Sequence, residues 1–518
     1  MQRGTIDRPW FDNRTFLLLI ALLSTAPLLW PHIPPLVDLP GHIGRYRIQL
    51  DQGAPSELHK YFSFQWALIG NLGVDLLVIP AAAAFGLEAG SKLIVILIAP
   101  LTVLGIFWTA REVHGRVPPT TLFAVPFVYG LPFNYGFVNF SLSMALALLA
   151  FALWLRLERT SAARPRAALF VPISCLVWLA HAFGWGVLAL MVWSSELVRL
   201  RDQGRTWLNA AGGASISSLP LGVPLLLMIA WRAGHAGAIT TGFFNLHWKV
   251  FYLIASLEDR WLLIDAVSVA AVIVLISAAI FDRQLQLSRR LAIPASVLLI
   301  IFLLLPVRMF GSVYADARLA PFILILAVVA VRFRDRTPSR TQNRLALVAC
   351  LFVGFRLIAN TVSFAMADAE WGRQLRALDH IPEGARVLSL VGLSCDAVWP
   401  LPRHSQLGAF VIFRKNGFAN EQWQIPGAQL IRVHDPEAEP FLIEPSEATY
   451  AESCVLRARE LQNGPKLRTA DQALEQFPRH AFDFVWLVEP NGFTDRPRQG
   501  LKLLWADEDS RLYRVTGG

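Results

Sequence analysis

The sequence predicts a polytopic α-helical membrane protein of about 11–13 transmembrane helices, followed by a small C-terminal α/β domain on the outer side. Three observations predict it. The 518 residues are 54% hydrophobic and only 16% charged, with a mean hydropathy of +0.46, whereas soluble chains carry about 25% charged residues. Apolar runs, several near the about 20 residues that a bilayer crossing needs, fill the chain up to residue 364. Beyond that point the long runs stop and short strand-like and helix-like patterns replace them.

The net charge of +9 is spread in a way that speaks against nucleic acid. Arginines gather between the apolar runs, in "RLERTSAARPR" at 156–166, "RLRDQGR" at 199–205, "DRQLQLSRR" at 282–290 and "RFRDRTPSRTQNR" at 332–344. That is the excess expected of cytoplasmic loops, while nucleic-acid recognition needs a basic face on a folded domain.

The first run, Thr15 to Trp30, follows Arg3, Arg8 and Arg14 like the start of a signal peptide, but no small-residue cleavage site follows it. It is read as an uncleaved first helix, with the N-terminus cytoplasmic. Further runs lie near 66–86, 91–110, 119–135, 138–155, 167–180, 183–198, 209–231, 261–281, 291–306, 318–333 and 344–363. Prolines 126, 132 and 172 break some of them, which neighbouring helices can tolerate.

With the basic loops inside, 119–155 and 167–198 become hairpins that turn outside near Asn139 and His181, and the links 232–260 and 307–317 lie outside. The front of the chain gives the wrong parity. Either 66–86, which holds Asn71 and Asp75, does not cross, or one run in 119–155 is counted wrongly. The resulting division is a transmembrane domain over 1–364, with a first outer loop at 31–65, and a soluble domain over 365–518. A bacterial inner membrane with a periplasmic tail is the expected location.

In the tail, "GARVLSL" (384–390), "GAFVIF" (408–413) and "FDFVWLV" (482–488) read as short buried strands. The stretch 501–515 reads as a hairpin turning at Glu508–Ser510, and "TADQALEQF" (469–477) as a capped amphipathic helix. Of the four cysteines, Cys175 and Cys350 fall in apolar runs. Cys395 and Cys454 fall in the tail, where an oxidising compartment permits a bridge between them. No Cys/His spacing suggests zinc.

The chemistry-bearing stretch is "WPHIPPLVDLPGHIGRYRIQL", Trp30–Leu50. Pro34, Pro35 and Pro40 stop the first helix and hold Asp38 in a turn. An approximate apolar stripe of Ile43, Tyr46, Ile48 and Leu50 then suggests a short interfacial helix with Arg45 and Arg47 on its other faces. Asn139, His181, Asp316 and Arg318 fall at the same outer depth, where polar groups within apolar runs face a cavity or a partner. Each also has a plain structural reading: Asn139 as a helix-packing hydrogen bond, Asp316 as the partner of Arg318.

A carboxylate and an imidazole at an outer cavity can take a proton from an acceptor hydroxyl. Arginines can hold a phosphate leaving group. On this plan the chain resembles the GT-C superfamily, the polyprenyl-phosphate-sugar-dependent integral membrane glycosyltransferases. It is similar in layout to the protein mannosyltransferases and the lipid A aminoarabinose transferases. The resemblance implies an inverting transfer from a polyprenyl-phosphate sugar to a lipid, glycan or protein acceptor. It makes Asp38 the catalytic base or a metal-associated carboxylate, so a divalent ion, Mg or Mn, is a candidate cofactor. Arg45, Arg308 and Arg318 would contact phosphate, and His42, Asn139, His181 and Asp316 would line the substrate pocket.

The departures are specific. His42 replaces a second acid in the first loop, Asn139 an acid in the second outer turn, and His181 a lysine in a later hairpin; metal dependence therefore stays open. A lipid-linked sugar transporter or flippase would show repeats and midplane polar sites, neither of which the sequence has. A non-catalytic assembly subunit would tolerate Asp38→Ala.

Overall fold

The computed structural model describes residues 9–51, 56–160, 163–232, 240–309, 312–395, 399–425, 429–460 and 466–516. Arg3 and Arg8 lie outside the described residues, as do parts of the basic loop 156–166 and of the link 232–260. The chain divides into two compact units. A helical unit takes the described parts of Met1–Trp30, Leu68–Leu77 and Leu93–Ser363, and an α/β unit those of Pro31–Ala67, Val78–Lys92 and Phe364–Gly518.

Among the described residues seven helices are long and apolar enough to cross a membrane: Leu87–His114, Val138–Thr160, Ala163–Ala180, Ala182–Asp202, Trp207–Ile229, Leu262–Phe281 and Ser339–His380. Shorter apolar helices occupy Arg14–Leu29, Gly73–Phe85, Leu246–Leu257 and Ala317–Ala330. The expected 11–13 counted apolar runs, and helix length separates these into two classes. Their outward side chains suit lipid: Leu208 is 87% and Phe281 83% exposed.

Local chemistry sets the breaks. Asn13 caps Arg14–Leu23 by accepting the Thr15 amide at 2.8 Å. The run 66–86 yields only the 13-residue helix Gly73–Phe85, about 20 Å at 1.5 Å per residue, against an apolar core about 30 Å thick. The run 119–135 departs further. Pro119 and Pro126 remove amide donors, and Pro119–Tyr129 winds as a fully buried 3-10 helix before the short helix Leu131–Asn134. The 167–198 hairpin turns at His181, whose Nδ1 accepts the Phe183 amide at 3.1 Å and caps Ala182–Asp202.

Several buried charges inside the helical unit are paired. Arg356 donates to Asp265 at 2.6 Å with both side chains at most 2% exposed. Glu196 accepts from Arg199 at 2.5 Å and from the Trp154 indole at 2.9 Å, and Arg166 lies 3.3 Å away.

The α/β unit is built on a mixed sheet. Arg386–Gly392 pairs in parallel with Phe484–Val488, Phe418–Ala419 and Ala448–Thr449. Phe484–Val488 continues antiparallel to Ser510–Val515, which pairs with Leu501–Ala506. Val387, Leu388, Leu390 and Val391 are wholly buried, as are Val485 through Val488, the near-continuous apolar reading of strands covered on both faces. Thr469 and Gln472 form a capping box at the start of Ala470–Gln476. Cys395 and Cys454 are bonded, with Cα atoms 6.0 Å apart.

One expected strand is a helix: 408–413 folds as part of Ala409–Lys415, closed by Asn416 in the left-handed conformation at φ 50°. A six-residue apolar run fits either element, and the left-handed Asn416 is the stop signal that the strand reading overlooked.

Two predictions follow from these burials. Arg356→Met takes the counter-charge from Asp265, and should destabilise the helical unit by about 3–5 kcal/mol; Arg356→Met with Asp265→Leu should recover most of it. Unfolding midpoints in mixed micelles check this, and a single variant as stable as wild type contradicts it. In the α/β unit, burial pushes the Glu421 carboxyl from 4.5 up to about 8. The folded state therefore holds a proton that the unfolded chain releases, and stability should fall as pH rises from 4.5 to about 8. Amide protection of 386–392 and 484–488, measured relative to intrinsic exchange, should fall across that window in wild type and by less in Glu421→Gln. Equal pH dependence in the two proteins would remove Glu421 as the cause.

Candidate functional site

In the α/β unit, Asp38 occupies the N-cap position of the helix Leu39–Leu50, with Pro40 in its first turn. It is half-buried, and its carbonyl accepts the His42 amide at 3.0 Å. The approach is fixed by Arg403, which donates to the Pro35 carbonyl and lies 4.7 Å over the Phe364 ring. The Trp371 indole in turn donates to the Arg403 carbonyl at 3.1 Å. These contacts hold the turn that carries Asp38.

The helix after Asp38 is not the amphipathic surface helix that its stripe suggests: nine of its twelve residues are buried, Arg45 among them. The cause is its glycines. A Cβ on Gly41 would meet the Trp423 ring at 2.6 Å and Gln406 at 2.8 Å, and one on Gly44 would meet Gln422 at 2.9 Å. Only a bare backbone lets these side chains close over that face. His42 lies 5.1 Å from the Trp423 ring and 6.3 Å from Tyr46. Arg45 donates to Gln429 at 2.5 Å and sits 5.2 Å over Tyr46, so its charge is engaged inside this unit.

In the helical unit, Asn139 is a connector. It accepts the Val74 amide at 2.6 Å and donates to Asp75 at 2.8 Å and to the Asn71 carbonyl at 3.0 Å. The next residue, Phe140, packs edge-on to the His181 ring at 5.7 Å, and His181 lies within electrostatic reach of Arg318. Arg318 donates to Ser312 at 3.0 Å and spans the Phe137 ring at 4.0 Å.

Asp316 does not take Arg318 as its ion partner. It is bound by Lys249 at 2.6 Å, both almost wholly buried. Tyr314, at φ 59°, lies 5.2 Å from Tyr135 and 6.4 Å from Tyr252. Arg308 is exposed and pairs only its backbone, with Thr241; among the described residues its guanidinium has no partner. In the helical unit His181 thus lies against Phe140, Asp316 is held by Lys249 and Arg318 lies over Phe137, while Asn139 directly precedes Phe140 and Arg308 stands on an exposed link.

Lys249, Arg403 and Trp423 were missed from the sequence. Lys249, in "NLHWKVFYL", carried a signal: a lone lysine inside an apolar run needs an acid. Arg403 and Trp423 carried none, because their importance comes from the fold of the tail. Among the described residues no group of three or more His, Cys, Asp or Glu side chains could hold a metal ion.

No family model and no curated protein sequence matches this chain. Solved structures do. ArnT from Cupriavidus metallidurans in the apo state aligns over 96% of this chain and 97% of its own, with a TM-score of 0.50 and 13% identity. ArnT from the same organism bound to undecaprenyl phosphate aligns over 96% of both chains, with a TM-score of 0.49 and 12% identity. The apolar helices and the C-terminal α/β domain thus have the GT-C-like fold of ArnT, a polytopic α-helical membrane fold.

Proposed function

We propose that the chain is a membrane glycosyltransferase that moves a sugar from a polyprenyl-phosphate donor to a lipid, glycan or protein acceptor on the periplasmic side of a bacterial inner membrane. The observation that carries this reading is the ArnT-like fold across 96% of the chain. A half-buried carboxylate, Asp38, stands on the turn after the first apolar helix. Fold alone does not fix chemistry, so the residues must supply it.

Asp38 serves as the base. The acceptor hydroxyl gives its proton to the Asp38 carboxylate, its oxygen forms a bond to the anomeric carbon, and the bond from that carbon to the phosphate oxygen breaks. The polyprenyl phosphate leaves with the bonding electrons, and attack opposite to departure inverts the anomeric centre. His42, backed by Trp423, orients groups beside Asp38, and Arg45 fixes the helix on which both sit.

In the helical unit the exposed Arg308 and the aromatic-backed Arg318 bind phosphate oxygens, where guanidinium geometry suits bidentate contact. His181, Asn139 and Asp316 shape the surrounding polar pocket, with Lys249 neutralising Asp316 so that it does not repel the donor.

Asp38→Asn keeps the shape of the side chain and removes the base. It should lower kcat by about 10²–10⁴-fold with little change in KM for the donor. Arg308→Ala should instead raise KM for the donor. Steady-state transfer of radiolabelled sugar in lipid nanodiscs checks both; a folded Asp38→Asn protein that transfers at the wild-type rate overturns the role of Asp38.

A further inference from the structure

A cleft of about 500 Å³ lies in the α/β unit, lined by His32, Glu88, Asp379, Arg414 and Lys415 together with Leu375 and Leu378. None of these residues has a part in the transfer chemistry. Glu88 is saturated: Arg414 donates to it twice, at 2.9 and 2.8 Å, and His32 reaches it at 3.1 Å. Arg414 is further fixed by lying 4.7 Å over the Phe410 ring, and its remaining guanidinium nitrogen makes no bond among the described residues. Lys415 and Asp379 are different. Neither the ammonium of the one nor the carboxylate of the other has a partner among the described residues, and Asp379 is exposed.

The position of the cleft on the chain is equally telling. Glu88 stands in the first turn of the spanning helix Leu87–His114, and Leu375 directly follows Ser339–Gln374. One spanning helix therefore begins at this cleft, a second leads into it through polar last turns that carry Asp368, Glu370 and Arg373, and just before Glu88 the side chain of Phe85 is 63% exposed. An apolar helix end marks the depth of lipid headgroups. One unpaired cation and one unpaired anion in the same cleft fit a ligand that carries both signs. Arg414 and Lys415 against Glu88 and Asp379 leave no net charge that would favour a purely anionic headgroup.

We propose that this cleft binds a zwitterionic phosphodiester, the headgroup of phosphatidylethanolamine. Its phosphate oxygens meet Lys415 and the free edge of Arg414, and its primary ammonium meets Asp379. The ammonium brings hydrogen-bond donors that the quaternary group of choline lacks, so the cleft discriminates between the two.

Native mass spectrometry of the purified full chain in detergent tests this, with equimolar phosphatidylethanolamine, phosphatidylcholine and phosphatidylglycerol as probes and inorganic phosphate as competitor. The wild type should retain phosphatidylethanolamine preferentially. Lys415→Ala and Asp379→Asn should each weaken that retention by about tenfold, while Lys415→Arg keeps it. Equal retention of choline and ethanolamine lipids, preference for phosphatidylglycerol, or wild-type binding by both weakened variants overturns the proposal. Displacement of the lipid by inorganic phosphate at equal concentration also overturns it, because the ligand is then a soluble anion.

Discussion

A charge among apolar helices must meet a counter-charge, and the helical unit is organised by that constraint. Lys249 and Asp316, 2.6 Å apart, tie the helix Leu246–Ile254 to the start of the helix at Ala317. Arg356 and Asp265 tie the first turn of Leu262–Phe281 to the long helix Ser339–Gln374. Such pairs add little net stability against an apolar replacement, but losing one partner is costly. They therefore act mainly as register pins, fixing which turn of one helix faces which turn of the next. Asn139 does the same without charge, by joining the start of Val138–Thr160 to the backbone at Asn71 and Val74.

The same constraint explains how the functional candidates are held. Arg318 is spread over an aromatic face, Asp316 is neutralised by a lysine, and Asp38 sits on a turn pinned through Arg403 at Pro35. Each group is fixed by neighbours that have no chemistry of their own. A transferase of the proposed kind needs this, since a base that shifts by an ångström loses much of its advantage.

How much of this was legible in the sequence depends on which signal each element carries. Apolar length marked the membrane helices, and the Thr469–Gln472 spacing marked a capped helix because both signals are local. The helix at Ala409–Lys415 was not legible, since six apolar residues fit a buried strand as well. Pro119–Tyr129 read as a crossing because hydropathy ignores what proline does to the hydrogen-bond ladder. For the candidate site, residue types expected at one outer depth singled out Asn139, His181, Asp316 and Arg318, but not what each of them binds. The true partner of Asp316 lies 67 residues away, a distance that no local pattern spans. The burial of Arg45 likewise depended on Gly41 and Gly44 admitting Trp423 and Gln422, side chains supplied from the far end of the chain.

The central claim is that a polyprenyl-phosphate sugar is consumed here. The most direct measurement supplies the purified protein in nanodiscs with native lipid extract and a panel of polyprenyl-phosphate sugars, and counts both products by mass spectrometry. The account predicts, for at least one donor, sugar-bearing acceptor and free polyprenyl phosphate in equal amounts. Neither product from any donor, by protein whose fold is intact, would contradict it.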